Sequence, residues 1–315
     1  MRGDRVPAAT RPRSELRRIA SRAWRERRTR FGAVLTVAVV LVALLGPLLA
    51  PHSSIATVGP PFAPPGGGHP FGTDVLGRGV LSRFLDGGFA ILWVSVAATA
   101  IGMLLGAGLG MAAGYLGGRV DETIMRVLDV VLSFPQLILA LLFVSMLGPK
   151  LWLLAVVIGV SHVPRVARVI RTATAEVAKR DFVLVAEAMA TPRWRVLRRE
   201  ILPNVVGPVM VETGLRLTFS IGLVAGLSFL GFGVQPPAAD WGSMIEENQI
   251  GLTVQPWGVL LPVIAIALVT VGSNFVTDGI ARATMRVDRV RSRRWRRAPA
   301  PGAELPSPAG LEEAA

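Results

Sequence analysis

Residues 89–113 read FAILWVSVAATAIGMLLGAGLGMAA, a stretch that contains no ionisable side chain. The hydrocarbon core of a bilayer is about 30 Å thick, and roughly 20 apolar residues in a helix are enough to cross it. A helix is required because lipid offers no water to an open backbone. The stretch therefore predicts a membrane-spanning helix.

Five further apolar runs of similar length predict an all-α membrane protein with six transmembrane helices. The predicted spans cover about residues 31–50, 89–113, 127–147, 151–170, 205–230 and 259–277. They lie in a membrane domain over residues 31–283, between a basic leader (1–30) and a tail (284–315) that is basic and then disordered. The composition agrees, because 51% of the residues are hydrophobic and only 17% are charged.

Two of the runs need a closer reading. A cleaved signal peptide is the alternative interpretation of the first run, but its basic leader is long, and Leu48-Leu49-Ala50 has no small residue three places before the break. We therefore favour an uncleaved helix. In the third run, Pro135 lacks a backbone donor, so it is expected to kink the helix or to mark its true start.

Four glycines in and just after the second run are spaced four residues apart: Gly102, Gly106, Gly110 and Gly114. Residues at this spacing share one helix face, and a face without side chains lets another helix approach closely. The alternative is that glycine is simply common in membrane helices. Because all four are in register, we favour a helix-packing role.

The basic residues of this chain, whose net charge is +13, indicate its orientation in the membrane. Lys and Arg accumulate in cytoplasmic segments of membrane proteins. They gather here in the leader, in the connection between the fourth and fifth spans and in the tail, whereas residues 234–256 contain acids and no Lys or Arg. The N and C termini are therefore expected in the cytoplasm. Nucleic-acid binding is disfavoured, because the Arg residues flank apolar runs.

The connection between the fourth and fifth spans is about thirty residues long, which is more than a turn requires. Its break at Thr191-Pro192 predicts two short helices, since Thr191 can cap a helix and Pro192 suits a first turn. Trp194, Leu197 and Ile201 then form an apolar stripe. This stripe could lie on the membrane surface or dock into the groove of a partner, and the pattern favours neither.

The sequence lacks the motifs of the common catalytic and metal sites. It has no cysteine, its three histidines are scattered, and it has no Gly-x-x-x-x-Gly-Lys-Ser/Thr phosphate loop. We therefore expect no catalytic residue, no metal and no cofactor. Any ATP would have to be used by another chain.

Several blocks of this sequence resemble the inner-membrane permeases of bacterial binding-protein-dependent ABC importers, within the dipeptide, oligopeptide and nickel group. The matching blocks are residues 69–83, 114–135, 182–204, 227–242 and 274–282. Within 182–204 the match rests on Phe182-Val183, Ala186, Ala188-Met189 and Ile201-Leu202-Pro203-Asn204. Ala190 stands where the family usually has Gly, and Glu187 where it usually has Arg.

The resemblance implies a role for the long connection as the coupling helix that inserts into a separate ATPase. The residues to which it assigns this contact are Phe182, Val183, Ala186, Glu187, Ala188, Met189, Ala190, Thr191, Arg193, Arg195, Leu202 and Pro203. The implied partners are a second permease subunit, identical or different, two ATP-binding subunits, an extracytoplasmic substrate-binding protein and the lipid bilayer. The implied location is the bacterial inner membrane.

The cargo that this resemblance favours is a peptide, with nickel or another small solute as the alternative. Charges inside spanning segments often mark a transport pathway. Glu212 and Arg216 lie four residues apart in the fifth span, and Ser228 lies further along it, so all three are candidates for the translocation pathway. The alternative for Glu212 and Arg216 is a mutually neutralising pair that fixes helix packing, which we favour.

Two rival functions are open at this stage. An ion-coupled secondary transporter would also suit six spans with intramembrane charges, but it would not need the long Ala-rich connection. A membrane-embedded enzyme would need a catalytic constellation that the sequence does not show.

Overall fold

The computed structural model describes residue 21 and residues 23–296, and its side chains as far as residue 283. Most of the basic leader and the end of the tail lie outside these residues. The helices are α1 (Arg27–Leu49), α2 (Val80–Asp86), α3 (Gly88–Leu116), α4 (Gly118–Leu132), α5 (Gln136–Leu147), α6 (Leu151–Ala178), α7 (Asp181–Ala188), α8 (Arg193–Val196), α9 (Leu202–Phe229), α10 (Trp241–Asn248) and α11 (Trp257–Arg296). A π-helical turn, Leu197–Ile201, joins α8 to α9, and a 3-10 turn, Gln249–Gly251, follows α10.

Five stretches of described helix are long and apolar enough to cross a membrane. They are α1, α2 with α3, α6, α8 with α9, and α11 as far as Ala283. The sixth is the pair α4 and α5, if this bent pair is counted as one span. The predicted all-helical membrane fold is confirmed.

The third predicted span, 127–147, is not one continuous helix. The chain bends by 74° between α4 and α5. Pro135 stands at the N-cap of α5, where its missing N–H costs no intrahelical bond. The uniformly apolar part, α5, has only 12 residues, or about 18 Å of helix, which is shorter than the hydrocarbon core. Residues 127–132 belong instead to the amphipathic α4.

The most extensive helix contact in the described bundle joins α3 to α6, and the glycine stripe of α3 lies in it. A methyl group on Gly106 would come within 2.6 Å of Val166 Cβ, and one on Gly110 within 2.5 Å of the Ala167 carbonyl oxygen. Gly102 and Gly114 face α6 in the same way. Because any side chain on this stripe would force the helices apart, the glycines set their separation.

A second close contact, which the sequence reading missed, joins α1 to α11. Gly32 lies against Phe275, and Gly272 lies against Thr36. These glycines show no four-residue register within either helix, so only the packed structure pairs them. The contact secures the first span, whose other faces carry many exposed apolar side chains.

Two compact regions lie at opposite ends of helices α3 and α9. We call residues 51–87 and 230–256 the polar cap; it adjoins the start of α3 and the end of α9. We call residues 179–201 the loop module; it adjoins the end of α3 and the start of α9. The helices between them enclose the main apolar core, which includes Ile91, Leu154 and Leu227.

Candidate functional site

The loop module begins with α7, which ends in a tight left-handed turn at Ala190. Ala190 has a φ of 54°. Its amide donates to the Glu187 carbonyl oxygen at 2.9 Å, and the Thr191 amide donates to the Ala186 carbonyl oxygen at 3.1 Å. These two bonds form a Schellman motif, whose left-handed position usually holds glycine.

The second half of the loop module differs from the prediction of a separate short helix capped by Thr191. The N-cap of α8 is Pro192, and no side chain caps the helix. The chain then runs through α8 and the π-helical turn into α9 without an interruption. Leu197 and Ile201, two residues of the predicted apolar stripe, therefore belong to the helical segment that leads directly into the fifth span. A displacement of α8 would be transmitted directly to α9.

A small apolar cluster anchors the loop module to the ends of the spanning helices. Its buried members are Val177, Val183, Val196, Ile201 and Val205, and Met111 and Tyr115 from the end of α3 pack against them. Tyr115 also interacts with the side chain of Glu187. Since Val183 is fully buried, this face of α7 is fixed.

The opposite face of the loop module is exposed and carries apolar side chains among charged ones. Met189 has 75% of its surface exposed, and Trp194 has 60%. Of the predicted coupling residues, Val183 is buried and Ala186 and Thr191 are half-buried. The others are exposed: Phe182, Glu187, Ala188, Met189, Ala190, Arg193, Arg195, Leu202 and Pro203. The Arg195 guanidinium lies over the Trp194 ring, 5.5 Å from its centroid.

A hydrogen-bonded network inside the bundle joins α3, α5, α6 and α9. His162 Nε2 lies 3.0 Å from Ser220 Oγ, and His162 Nδ1 lies 3.2 Å from Gln136 Nε2. The Thr99 hydroxyl donates to Ser220 Oγ at 3.1 Å. His162 and Ser220 are fully buried, so their polar atoms depend on these contacts. The sequence singled out none of the four, because no spacing pattern links them along the chain.

The predicted pair Glu212 and Arg216 lies on the same face of α9, one turn from this network. Arg216 Nε is 3.1 Å from Glu212 Oε2, and both side chains are buried. The approach is not in hydrogen-bond geometry, so Arg216 Nε and Nη1 have no hydrogen-bond partner among the described residues. The two side chains are in ionic contact, as expected for a mutually neutralising pair. Two N–H donors of Arg216 are nevertheless left without a hydrogen bond.

Ser228 is not brought together with Glu212 and Arg216. Its hydroxyl donates to Asp240 Oδ1, and this bond ties the end of α9 to the polar cap. Asp240 also caps α10 by accepting hydrogen bonds from the amides of Gly242 and Ser243. Burial raises the pKa of Asp240, while the hydrogen bonds from Ser228 and from these two amides act in the opposite direction.

The polar cap contains a buried cluster of two carboxylates and two guanidinium groups. Arg78 Nε lies 2.6 Å from Asp74 Oδ2, and Arg83 Nη2 lies 3.1 Å from Glu247 Oε2. Arg78 also pairs with Glu247. The two positive and two negative charges of the cluster balance, so we assign the cluster a structural role in the polar cap. No group of three or more His, Asp or Glu side chains in the described part of the chain is arranged to hold a metal ion.

A bundle that buries a polar network between its spanning helices and an ion pair within one of them has the build of a multi-pass transport protein rather than of a membrane anchor. Ionisable side chains at that depth are costly unless they face one another or a pathway. The class is therefore that of polytopic membrane transport proteins.

Comparison with known sequences identifies the family. The family described as "Binding-protein-dependent transport system inner membrane component" matches residues 102–286, more than half of the chain. The chain belongs to this family and is a multi-pass protein of the inner membrane.

Named relatives and one solved structure agree with this assignment. The chain is 34% identical to the dipeptide transport system permease protein DppC of Alkalihalophilus pseudofirmus, over 79% of this chain and 82% of that protein. It is 34% identical to the probable D,D-dipeptide transport system permease protein DdpC of Escherichia coli, over 79% and 84%. The inward-facing MetNI methionine ABC transporter aligns with a TM-score of 0.51 over 64% of this chain and 95% of the solved chain. At 20% identity this last likeness concerns the fold alone.

Proposed function

We propose that this chain is the permease subunit of an ATP-driven peptide importer, and that the loop module is its contact with a separate ATPase. The observation that carries the proposal is the two-sided construction of α7: one face is fixed by a buried apolar cluster, and the other presents exposed apolar side chains. An exposed apolar patch on a rigid support is typical of a protein interface. The peptide cargo rests on the printed names of the relatives.

The proposed assembly follows from what the chain lacks and from its charge. ATP hydrolysis needs a separate ATP-binding chain, because the sequence has no phosphate loop, and the resemblance to binding-protein-dependent importers implies two such subunits. A second permease subunit, identical or different, completes the pathway, and an extracytoplasmic binding protein delivers the cargo. The termini and the loop module lie in the cytoplasm in this proposal, because their segments are rich in Arg.

Force is transmitted through a continuous helical connection. Closure of the ATPase subunits moves the exposed face of α7 and α8, and the π-helical turn passes that movement to α9. Helix α9 carries Glu212, Arg216 and Ser220. A displacement of its N-terminal end therefore moves the intramembrane network. No ATP chemistry takes place in this chain.

The experiment is a pair of charge substitutions at equal exposure. Met189→Asp places a carboxylate on the exposed face of the loop module, and Ile250→Asp places one on the polar cap, where Ile250 is also 75% exposed. We expect Met189→Asp, and likewise Ala188→Asp, to insert normally and to lose at least about 90% of peptide uptake, since burying one unpaired charge costs several kcal/mol. Co-purification of the ATPase should also fall.

Ile250→Asp is the control, and its complex should retain the ATPase. Full ATPase retention together with normal uptake by Met189→Asp would contradict the docking role. Wild-type transporter that imports nickel or another solute but no peptide would instead correct the cargo and leave the docking role standing.

A further inference from the structure

An apolar groove lies among the four helices α1, α3, α9 and α11. Its volume is about 400 Å³, which is within the range of small-molecule sites, about 300–1,000 Å³. Each helix contributes to the walls, through side chains such as Val40, Trp93, Ile221 and Val269. All four helices belong to stretches that are long and apolar enough to cross a membrane, so the groove lies at the depth of the hydrocarbon core.

The walls of this groove offer almost no polar group to a ligand. Thr36 and Ser273 are the two lining residues that carry a hydroxyl. The Thr36 hydroxyl donates to the Gly32 carbonyl oxygen at 2.9 Å, and the Ser273 hydroxyl donates to the Thr270 carbonyl oxygen at 3.0 Å. A peptide backbone buried there would leave its own donors and acceptors unpaired, which is costly. The groove therefore suits a hydrocarbon chain rather than the proposed cargo.

The groove opens on the outside of the bundle, between α1 and α3. Leu44 of α1 and Phe89 and Val96 of α3 line it, and each is more than half exposed. Only 22% of the apolar part of α1 is buried, against 72% for α6. Helix α1 is thus at the periphery of the described bundle, where the neighbouring hydrocarbon is the acyl chain of a lipid.

Basic residues at the start of α1 indicate which lipid the groove would take. Arg30 folds back over the turn before the helix: its Nε donates to the Trp24 carbonyl oxygen at 2.6 Å, and its Nη2 lies 3.5 Å from the Arg25 carbonyl oxygen. Both arginines are exposed. The carboxylate of this turn, Glu26, pairs with Arg282 instead. Arginines beside a spanning helix attract the phosphate groups of anionic lipids.

The spacing along α1 connects these arginines to the groove. From Phe31, the first residue of the apolar run, Thr36 is about 8 Å along the helix and Val40 about 14 Å. One leaflet contributes about 15 Å of hydrocarbon, so a chain that starts beside Arg30 reaches both residues. The other end of α1 offers no such headgroup contact, because residues 50–77 contain no Lys or Arg. The lipid is therefore expected in the leaflet on the basic side.

We propose that this groove binds one acyl chain of an anionic phospholipid in the cytoplasmic leaflet, and that Arg25 and Arg30 contact its phosphate. The inference uses the membrane orientation proposed above, but neither the cargo nor the contact with the ATPase. The rival occupants are a segment of the second permease subunit and bilayer lipid that is bound at no fixed place, and the experiment distinguishes both.

The experiment maps contacts of a labelled lipid on the complete transporter in phosphatidylcholine nanodiscs. The probes are phosphatidylglycerol and phosphatidylcholine, each with a photoactivatable group in one acyl chain, and the cross-linked peptides of this chain are identified by mass spectrometry. Val40 and Val96 should be labelled at least about fivefold more by the phosphatidylglycerol probe, the factor expected for one charged contact at a membrane surface. Leu104, which is 76% exposed on α3 outside the groove, should be labelled equally by both probes.

Two pairs of substitutions test the headgroup contact. Arg25→Gln combined with Arg30→Gln should abolish the preference for phosphatidylglycerol at Val40. Arg27→Gln combined with Arg28→Gln is the matched control, because it removes the same charge from the same end of α1. By helical spacing, Arg27 and Arg28 lie about 140° and 120° around the axis from Val40, whereas Arg30 lies about 80° away. The control should keep the preference of the wild type.

A second pair of substitutions tests the groove itself. Val40→Trp fills it and should abolish the labelling of Val96 by both probes. Val37→Trp, at a position of the same helix that is 54% exposed and outside the groove, should leave that labelling unchanged. The arginine variants lie at the surface, so they test the proposal even if Val40→Trp does not fold.

Three results would overturn the proposal. An unlabelled groove in the complete transporter would show that protein covers it. Labelling of the groove no stronger than that of Leu104 with either probe would show ordinary contact with the bilayer. An equal loss of preference in both arginine pairs would show general attraction to the surface. None of these measurements involves peptide uptake or ATP hydrolysis, so such a failure would leave the proposed function standing.

Discussion

The polar cap and the loop module occupy opposite ends of α3 and α9, and they are held together by different forces. In the cap, Asp74, Arg78, Arg83 and Glu247 form a buried cluster whose charges balance internally. In the loop module, Val183, Val196 and Ile201 are buried in the apolar anchor, whereas Leu184, Val185, Met189 and Trp194 are exposed. The charged groups of the cap pair with one another, whereas the loop module leaves apolar side chains exposed.

This difference between the polar cap and the loop module predicts that substitutions in the two regions will affect different properties of the protein. Substitutions in the cap should act through the stability of this chain, because the charges of the cluster pair with one another within the chain. Substitutions on the exposed face of the loop module should act through assembly. The four predictions below test this contrast in order of decreasing effect.

The largest effect is expected from Arg83→Met in the polar cap. Arg83 is fully buried, and its loss leaves Asp74 and Glu247 to share one guanidinium. Breaking a buried ion cluster in this way costs about 3–5 kcal/mol. Thermal unfolding of the purified protein should show a large decrease in Tm.

Arg126→Met is the control for Arg83→Met. Arg126 pairs with Glu122, but the two side chains are 78% and 61% exposed. Its removal should change stability by no more than about 0.5 kcal/mol. Equal Tm values for the two variants would show that the cap does not depend on its ion cluster.

An intermediate effect is expected from Val183→Ala in the anchor of the loop module. The substitution removes two buried methyl groups and leaves a small cavity, at a cost of about 2 kcal/mol. The loop module should open more often, so trypsin should cleave faster at Lys179 and Arg180. Val185→Ala, at a position that is 56% exposed, should leave the cleavage rate unchanged, and identical rates for both would argue against the anchor.

A smaller effect is expected at Asp240, which joins α9 to the polar cap. Asp240→Ala removes the cap of α10 and should cost about 1 kcal/mol, whereas Asp240→Asn keeps an accepting oxygen. Burial raises the pKa of Asp240 in the folded protein above its ordinary value of 3.8. Protonation of Asp240 therefore stabilises the folded protein fully below pH 3.8, and this stabilisation is lost as the pH rises through the raised pKa. Asp240→Asn should therefore match or exceed wild-type Tm at neutral pH; a loss equal to that of the Ala variant would contradict this.

The smallest effect, and a favourable one, is expected from Ala190→Gly. The left-handed conformation at Ala190 is strained for a residue with a Cβ atom, so glycine should stabilise the turn by up to about 1 kcal/mol. Ala188→Gly, at the last residue of α7, should instead destabilise the helix by about 0.5–1 kcal/mol. Hydrogen exchange of the loop amides should be slower than in the wild type for Ala190→Gly and faster for Ala188→Gly. Faster exchange in both variants would contradict the strained turn.

Much of the fold could be predicted because lipid imposes a simple rule on each segment separately. The run at residues 89–113 is apolar over its whole length, and helix α3 covers it. The rule fails where the chain is amphipathic: residues 127–132 read as part of a span, but they belong to α4, whose acids pair with the arginines of α6. Likewise, Leu197 and Ile201 have the spacing of a separate amphipathic helix, yet they continue into α9.

The candidate site was predictable in part. Glu212 and Arg216 were identified because two charges four residues apart in a span are unusual. Gln136, His162 and Ser220 were missed because no spacing pattern links them in the sequence, and their 3.0 to 3.2 Å contacts join three different helices.

The sequence by itself determined that this chain spans a membrane as a helical bundle and which basic segments flank its apolar runs. These features are local, because hydropathy and charge act on each segment regardless of its neighbours. Only the tertiary structure decided that Arg168 and Arg171 each pair with an acid of α4, while Arg165 has no acidic partner among the described residues. A charge is satisfied or unsatisfied by groups from other helices, and that depends on how the helices pack.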